Sequence, residues 1–192
     1  MLKTRRVETE DDLRDILALQ RANRRGARPD GEERADGFVT VEHSLEMLRA
    51  MHDVAPSIVA VDGAELAGYA LVMPVEAAPV VPILAPMFER LRSLTHRGRT
   101  LAEIPHYVMG QICVDARHRG RGVVDAMYRE HRTQLAGRYA LVVTEISTRN
   151  TRSMRVHERV GFTTLEVYRD ALEEWAIVGW DWSDPDAARS GL

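Results

Sequence analysis

The 192-residue chain predicts one domain of α/β class, an open sheet covered by helices. Its length suits a single domain with a substantial core and is short for two. Its composition, 45% apolar and 29% charged, is that of an ordinary globular protein. Runs of β-type residues alternate with runs at helical spacing in the order βααββ, an insert carrying a helix, then βαβαββ. Such alternation packs helices against a sheet.

Leu2 to Val7 reads as a first strand. Thr9 stands three residues before Asp12, a capping-box-like start, and Leu13, Ile16, Leu17 and Gln20 follow at helical spacing. Arg24 to Asp36 is crowded with Gly, Pro and charges of both signs, so a loop is expected there. Thr40 can cap a second helix carrying Val41, Leu45 and Leu48. Ser57 to Met73 is two β-rich runs around Asp62-Gly63, a strong hairpin signal. The insert, 74–105, holds Leu84, Met87, Phe88, Leu91 and Leu94 at helical spacing, with Pro86 near the first turn.

Tyr107 to Val114 reads as a strand, and Val124 to Leu135 as an amphipathic helix stopped by Gly137. Tyr139 to Ile146 is β-rich, and Arg149 to Val160 is helical until Gly161. Phe162 to Val167 and Glu174 to Trp182 complete the strands. One domain over 1–183 followed by a tail at 184–192 is expected.

Bulk properties exclude several classes. A net charge of −3 argues against a protein devoted to nucleic acid. A lone cysteine, Cys113, permits no intrachain disulfide and suits a reducing cytosol. No apolar run nears the ~18 residues of a membrane span, and the N-terminus lacks the apolar core of a signal peptide. The seven histidines show no helical ligand spacing, so no metal site is expected. A cytoplasmic protein follows from these features.

Two stretches carry chemistry. The first is ICVDARHRGRGVV, residues 112–124, an apolar run ending in arginines and glycines before a helix. A strand feeding a glycine turn and then a helix presents unpaired backbone N–H groups and the positive end of the helix dipole, a natural anion site. Gly120 and Gly122 let an anion approach the backbone, and Arg117, Arg119 and Arg121 add charge with guanidinium geometry suited to phosphate. A solvated loop is the alternative reading. The second stretch, EISTRNTRSMRVHERVGF at 145–162, places Asn150, Ser153, Val156, His157 and Val160 on much of one helix face. Asn150 as a helix cap and His157 as a hydrogen-bonded core histidine are the structural alternatives.

These stretches resemble the GNAT superfamily of acyl-CoA-dependent N-acetyltransferases. The family's [Q/R]-x-x-G-x-[G/A] turn has two registers here, one from Arg117 to Gly122 and one from Arg119 to Val124. The second is preferred, because it keeps the family's distance from the strand and leaves the helix unbroken. It departs from the pattern at Val124. The second stretch is similar to N-x-x-[A/S]-x-x-x-Y-E-x-x-G-F, with His157 where tyrosine is usual.

The resemblance implies a mostly antiparallel sheet of about seven strands, splayed between its two parallel middle strands, with helices on both faces. It implies acetyl-CoA as cosubstrate, with Arg119, Gly120, Arg121, Gly122, Val123 and Val124 wrapping the diphosphate. Ile112, Cys113 and Val114 would offer main-chain atoms to pantetheine and the thioester oxygen, and Asn150 and Ser153 would lie beside the coenzyme. Glu145, twelve residues before His157, would be the general base that frees an amine for direct attack. A carboxylate paired with Arg149 or Arg152 is the alternative for it. His157 would be the general acid, its reference pKa of ~6.5 suiting proton transfer near neutrality. Cys113, with no base in the sequence to pair with it, reads as a small buried residue rather than a nucleophile.

The acceptor implied is a small-molecule or peptide amine, held by the parts of the fold that include Arg24, Arg25, Arg28, Asp30, Glu32 and Glu33. The insert reads equally as a lid, an acceptor wall or a surface for a homodimer. A non-catalytic acyl-CoA-binding module is the rival function, drawing on the departures at Val124 and His157. Trp175, Trp180 and Trp182 are expected in the core or an interface.

Overall fold

The computed structural model describes residues 1–23, 41–171 and 173–183. Strand β1 (Leu2–Arg6) leads into helix α1 (Glu10–Ala22). Thr9 and Asp12 form the expected capping box, and Arg5 clamps Asp12 through both carboxylate oxygens at 2.7 and 2.8 Å. The second helix, α2 (Leu45–Val54), starts later than expected. Its cap is Ser44, whose hydroxyl accepts from the Met47 amide, so Val41 lies ahead of the helix, packed against the core. Thr40, the 24–36 segment and the tail lie outside the described residues.

β2 (Ile58–Asp62) and β3 (Glu65–Pro74) form the hairpin, with Asp62 opposite Glu65. The turn is therefore Gly63-Ala64, one residue beyond the expected pair, and Gly63 takes φ 66°. Short 3₁₀ turns follow, then α3 (Ala85–Ser93) with Pro86 in its first turn. A two-residue hairpin, β4 (Thr95–His96) with β5 (Arg99–Thr100), closes the insert. β6 (His106–Val114), α4 (Val123–Leu135), β7 (Leu141–Ser147), α5 (Thr151–Val160), β8 (Thr163–Arg169) and β9 (Glu174–Asp181) complete the chain.

The seven-stranded sheet runs β1-β2-β3-β6-β7-β9-β8. Its neighbours pair antiparallel except for β6 and β7, which run parallel. One face carries α1, α2 and the insert over Leu13, Ile16, Leu48, Leu71, Val143 and Ile177. Met87, Phe88 and Leu91 of α3 are buried in that same core, so the insert is structural on this face. The other face packs α4 and α5 over Tyr128, Val142, Val160, Phe162, Val178 and Trp180. Each such side chain contributes roughly 1.5–3 kcal/mol relative to exposure. Trp180 is in the core as expected, and Trp182 packs beside it.

Candidate active site

The parallel pair separates. Its register runs His106↔Leu141, Tyr107↔Val142 and Val108↔Val143, and no pairing follows. On the other edge of β6, Ala70 faces Ile112 while Val72 faces Met109, so Gly110 and Gln111 together oppose Leu71 alone. This β-bulge turns backbone groups of β6 out of the ladder. The gap between the splayed strands holds a cavity lined by Met109, Gly110, Gln111, Ile112, Thr144, Glu145 and Ser147. A larger cavity of about 410 Å³ adjoins it and runs to the glycine turn. Ile112, Asn150, Ser153 and His157 line both.

The turn is held from outside. Asp62 at the end of β2 binds the Arg121 guanidinium at 3.1 Å. The Asp115 amide donates to the Ala67 carbonyl at 3.0 Å, and the Asp115 carboxylate accepts from the Arg117 amide at 2.8 Å. Gly120 and Gly122 take φ 75° and 73°, a left-handed conformation costly for other residues. Gly122 caps α4 without a side chain, leaving the first-turn N–H groups of a 13-residue helix beside the cavity.

The three arginines do not act alike. Arg119 lines the cavity, its Nη2 donating to Asn23 Oδ1 at 2.8 Å. Arg117 points away to Asp115 and Glu65, each at 3.1 Å. The Arg121 side chain is paired with Asp62, and Arg121 is not among the residues that line the cavity. Gly120, Gly122, Val123 and Val124 line the cavity together with Ile112, Cys113 and Val114. Cys113 is buried there.

Asn150 caps α5, its Oδ1 accepting from the Ser153 amide at 3.2 Å, and both residues face the cavity. Val156, on the same helix face, lines the cavity and is half-buried. Asn23, His118, Asp125 and Arg159 line it too and were not singled out from sequence, and so does Arg152, named there only as a partner for Glu145. Arg152, Val156 and Arg159 share a helix face by their spacing, a signal that could have found them. Arg159 binds Asp125 at 2.6 Å, joining α5 to the first turn of α4.

The His157 ring is buried between Ser153 and Tyr128. Its Nδ1 lies 2.8 Å from the Ser153 carbonyl, which only accepts, so Nδ1 carries the ring proton. Nε2 then accepts from the Tyr128 hydroxyl at 2.7 Å. Burial lowers its pKa to about 4, so the ring is neutral near pH 7. It borders both cavities.

Glu145 sits in mid-strand on β7, opposite Ile177 of β9. Its Oε1 accepts from the Tyr168 hydroxyl. Burial raises its pKa above the usual glutamate value, and the Tyr168 bond works against that rise. Arg149 pairs with the buried Glu173 at 3.6 Å, so it is not the partner of Glu145. Trp175, expected in core or interface, is half-buried at the same cavity. Among the described residues no cluster of His, Cys, Asp or Glu could hold a metal. No described helix is long and apolar enough to cross a membrane.

Comparison with known proteins agrees with this architecture. The model of the acetyltransferase (GNAT) family matches residues 13–162. The ribosomal-protein-S18-alanine N-acetyltransferase from Escherichia coli has a similar structure, with 13% identity, TM-score 0.62 and coverage of 93% of this chain and 92% of that one. The NatC complex bound to Gag peptide and CoA gives 12% identity and TM-score 0.62, covering 94% and 98%. An N-acetyltransferase from Staphylococcus aureus Mu50 gives 15% identity and TM-score 0.59, covering 95% and 99%. No curated protein matches by sequence. The match over most of the chain, on a sheet split between its parallel strands, means that the protein belongs to the GNAT family of acetyltransferases and is an acyltransferase.

Proposed function

We propose that the protein transfers the acetyl group of acetyl-CoA to a primary amine by direct attack within a ternary complex. The observation that carries this reading is the pair of adjoining cavities, one at the glycine turn and one at Glu145, sharing Ile112, Asn150, Ser153 and His157. Two substrates held on either side of those residues meet at the split between β6 and β7.

The residues fit the coenzyme. A diphosphate suits the main chain from Arg119 to Val124, the positive end of α4 and the Arg119 guanidinium. Pantetheine would follow the freed edge of β6 past Ile112, Cys113 and Val114, with Asn150 and Ser153 alongside. Backbone N–H groups near the bulge are suited to the oxygen of the attacked thioester, where negative charge develops.

The acceptor amine arrives largely as ammonium, since the reference pKa is ~10.4 for lysine and ~7.7–8.0 for an α-amino group. Glu145, with its pKa raised by burial, takes that proton. The free amine attacks the carbonyl carbon, and the tetrahedral intermediate collapses as the C–S bond breaks. The thiolate is a fair leaving group (~8.5 for a cysteine thiol) and can take the proton carried by the intermediate's nitrogen. His157 is thus a positioning residue that braces α5 against Tyr128, rather than the acid. The acceptor class is a small-molecule or peptide amine; among the structural neighbours, one is named for an alanine N-acetyltransferase activity and another holds a peptide.

The test is thiol release from acetyl-CoA across amino acids, polyamines, aminoglycosides and peptides, comparing the parent protein with Glu145→Gln. Turnover on at least one amine, lost in the variant, supports the reading. CoA binding without turnover on any amine would favour the acyl-CoA-sensing alternative.

A further inference from the structure

Glu145, Ile177 and Glu166 stand opposite one another on β7, β9 and β8, so their side chains share the sheet face that carries the insert. Tyr168, two residues beyond Glu166, lies on that face too and donates its hydroxyl to Glu145 Oε1. Above the Tyr168 ring, at 3.9 Å, is the guanidinium carbon of Arg90. The same guanidinium binds both oxygens of Glu166 at 3.2 Å. Arg90 belongs to α3, whose Phe88 and Leu91 are buried in the core. The chain of contact thus runs from the insert, through Arg90 and Tyr168, to the carboxylate at the split.

We propose that Tyr168 is a positioning residue for Glu145, and that the insert serves the reaction by holding Tyr168 in place through Arg90. This rests on Glu145 acting as the base. A phenol fixed on Oε1 restrains the rotation of the carboxylate and leaves Oε2 as the oxygen that takes the proton. Tyr168 remains a donor: burial raises its pKa above the usual tyrosine value, and the neighbouring carboxylate raises it further. The bond also favours the charged form of Glu145, against the effect of burial. It therefore keeps the carboxylate ionised, and ready to accept a proton, at a pH where burial alone would protonate more of it.

The charged and titratable groups around Glu145 are Arg90 from α3, Tyr168 and Glu166 from β8, and Asp170 in the turn after β8. Across the shared cavity stands the neutral His157 of α5. Arg90 and Tyr168 lower the Glu145 pKa, and Asp170 raises it. The guanidinium is therefore both a mechanical stay for the ring and a charge acting on the base.

The experiment is a pH titration of the full chain labelled with ¹³C-glutamate, the Glu145 carboxyl resonance being assigned by its loss in Glu145→Gln. Tyr168→Phe should raise the Glu145 pKa by on the order of one pH unit. Arg90→Gln should raise it by less. Arg92→Gln, on the same helix but paired with Glu89 at the surface, should leave it unchanged. Superimposable titrations for the parent and Tyr168→Phe would overturn the proposal, as would equal shifts in Arg90→Gln and Arg92→Gln. Undiminished thiol release by Glu145→Gln would instead remove the base assignment. Loss of that release with an unshifted titration would remove Tyr168 alone.

Discussion

Val108 and Val143 form the last rung between the two parallel strands, and beyond them β6 and β7 part around the cavity that holds Glu145. On the β6 side of the split stand the bulge at Gly110 and Gln111 and the packing of α4 against β3 and β6. Gly68 is part of this packing. A Cβ there would stand 2.8 Å from the Cys113 carbonyl oxygen, a backbone atom on the strand that lines the site. Gly68→Ala should destabilise the fold by about 1–3 kcal/mol and weaken CoA binding, because β6 must yield. Gly137→Ala, with open space around its Cβ, should leave the melting temperature nearly unchanged. Parallel melting curves and CoA titrations of the two variants check this.

The glycine turn should respond to backbone strain. Gly122 holds φ 73° with nothing within 4 Å of an added Cβ, so Gly122→Ala costs conformational energy without a clash. About 1–2 kcal/mol is expected, or a fall of roughly 2–8 °C in melting temperature for a chain of this length. Thermal unfolding monitored by circular dichroism measures it.

The arginines of the turn should separate cleanly. Arg119→Ala removes the guanidinium that borders the cavity, and CoA affinity should fall about 10- to 100-fold, with a shallower salt dependence. Arg117→Ala removes a guanidinium already paired with Asp115 and Glu65 outside the cavity, and should change affinity less than about twofold. Equal losses would mean that the turn is read wrongly.

Glu145→Gln keeps the shape of the side chain and the contact with Tyr168 but not the basicity. A drop in kcat of about 10²- to 10⁴-fold is expected with CoA affinity retained. Steady-state kinetics on a responsive amine, alongside a CoA titration, separates the two.

Stability should fall in mild acid. His43, His131 and His157 are buried, and their pKa values are lowered to about 4, 3 and 4. The unfolded chain binds protons at these residues near the reference value of ~6.5, and the folded chain does not. Their contribution is therefore complete above that value and is lost as pH falls towards 4, at up to about 1.4 kcal/mol per pH unit for each histidine. Urea midpoints should drop steadily from pH 7 to pH 5; a flat profile would contradict the neutral buried rings.

Much of the fold is legible in the sequence alone. The capping box at Thr9 and Asp12, the glycine stop at Gly161 and the alternation of periods are local signals, and the elements follow them. The turn from Arg119 to Val124 and the face from Asn150 to His157 stand out through their resemblance to the family's two motifs, since a glycine turn or a lone histidine by itself reads equally as structure. Side-chain partners are not legible. Arg121 was drawn to Asp62, 59 positions away, and Tyr168 to Glu145 across β9, contacts that only the strand order creates. His157 looks able to give a proton because sequence reveals no burial; burial keeps the ring neutral, and the bond to the Ser153 carbonyl works against it. The insert reads from sequence as a helix-bearing lid, acceptor wall or dimer surface, because spacing shows a helix but not what it covers; Met87, Phe88 and Leu91 are buried in the core.

The most direct measurement is calorimetric titration of the protein with CoA and, separately, with pantetheine, which has the same arm without the diphosphate. The account predicts a saturable one-to-one heat with CoA, at least tenfold tighter than pantetheine, with the gap narrowed in Arg119→Ala. Equal affinities for the two compounds, or no heat from CoA, would contradict it.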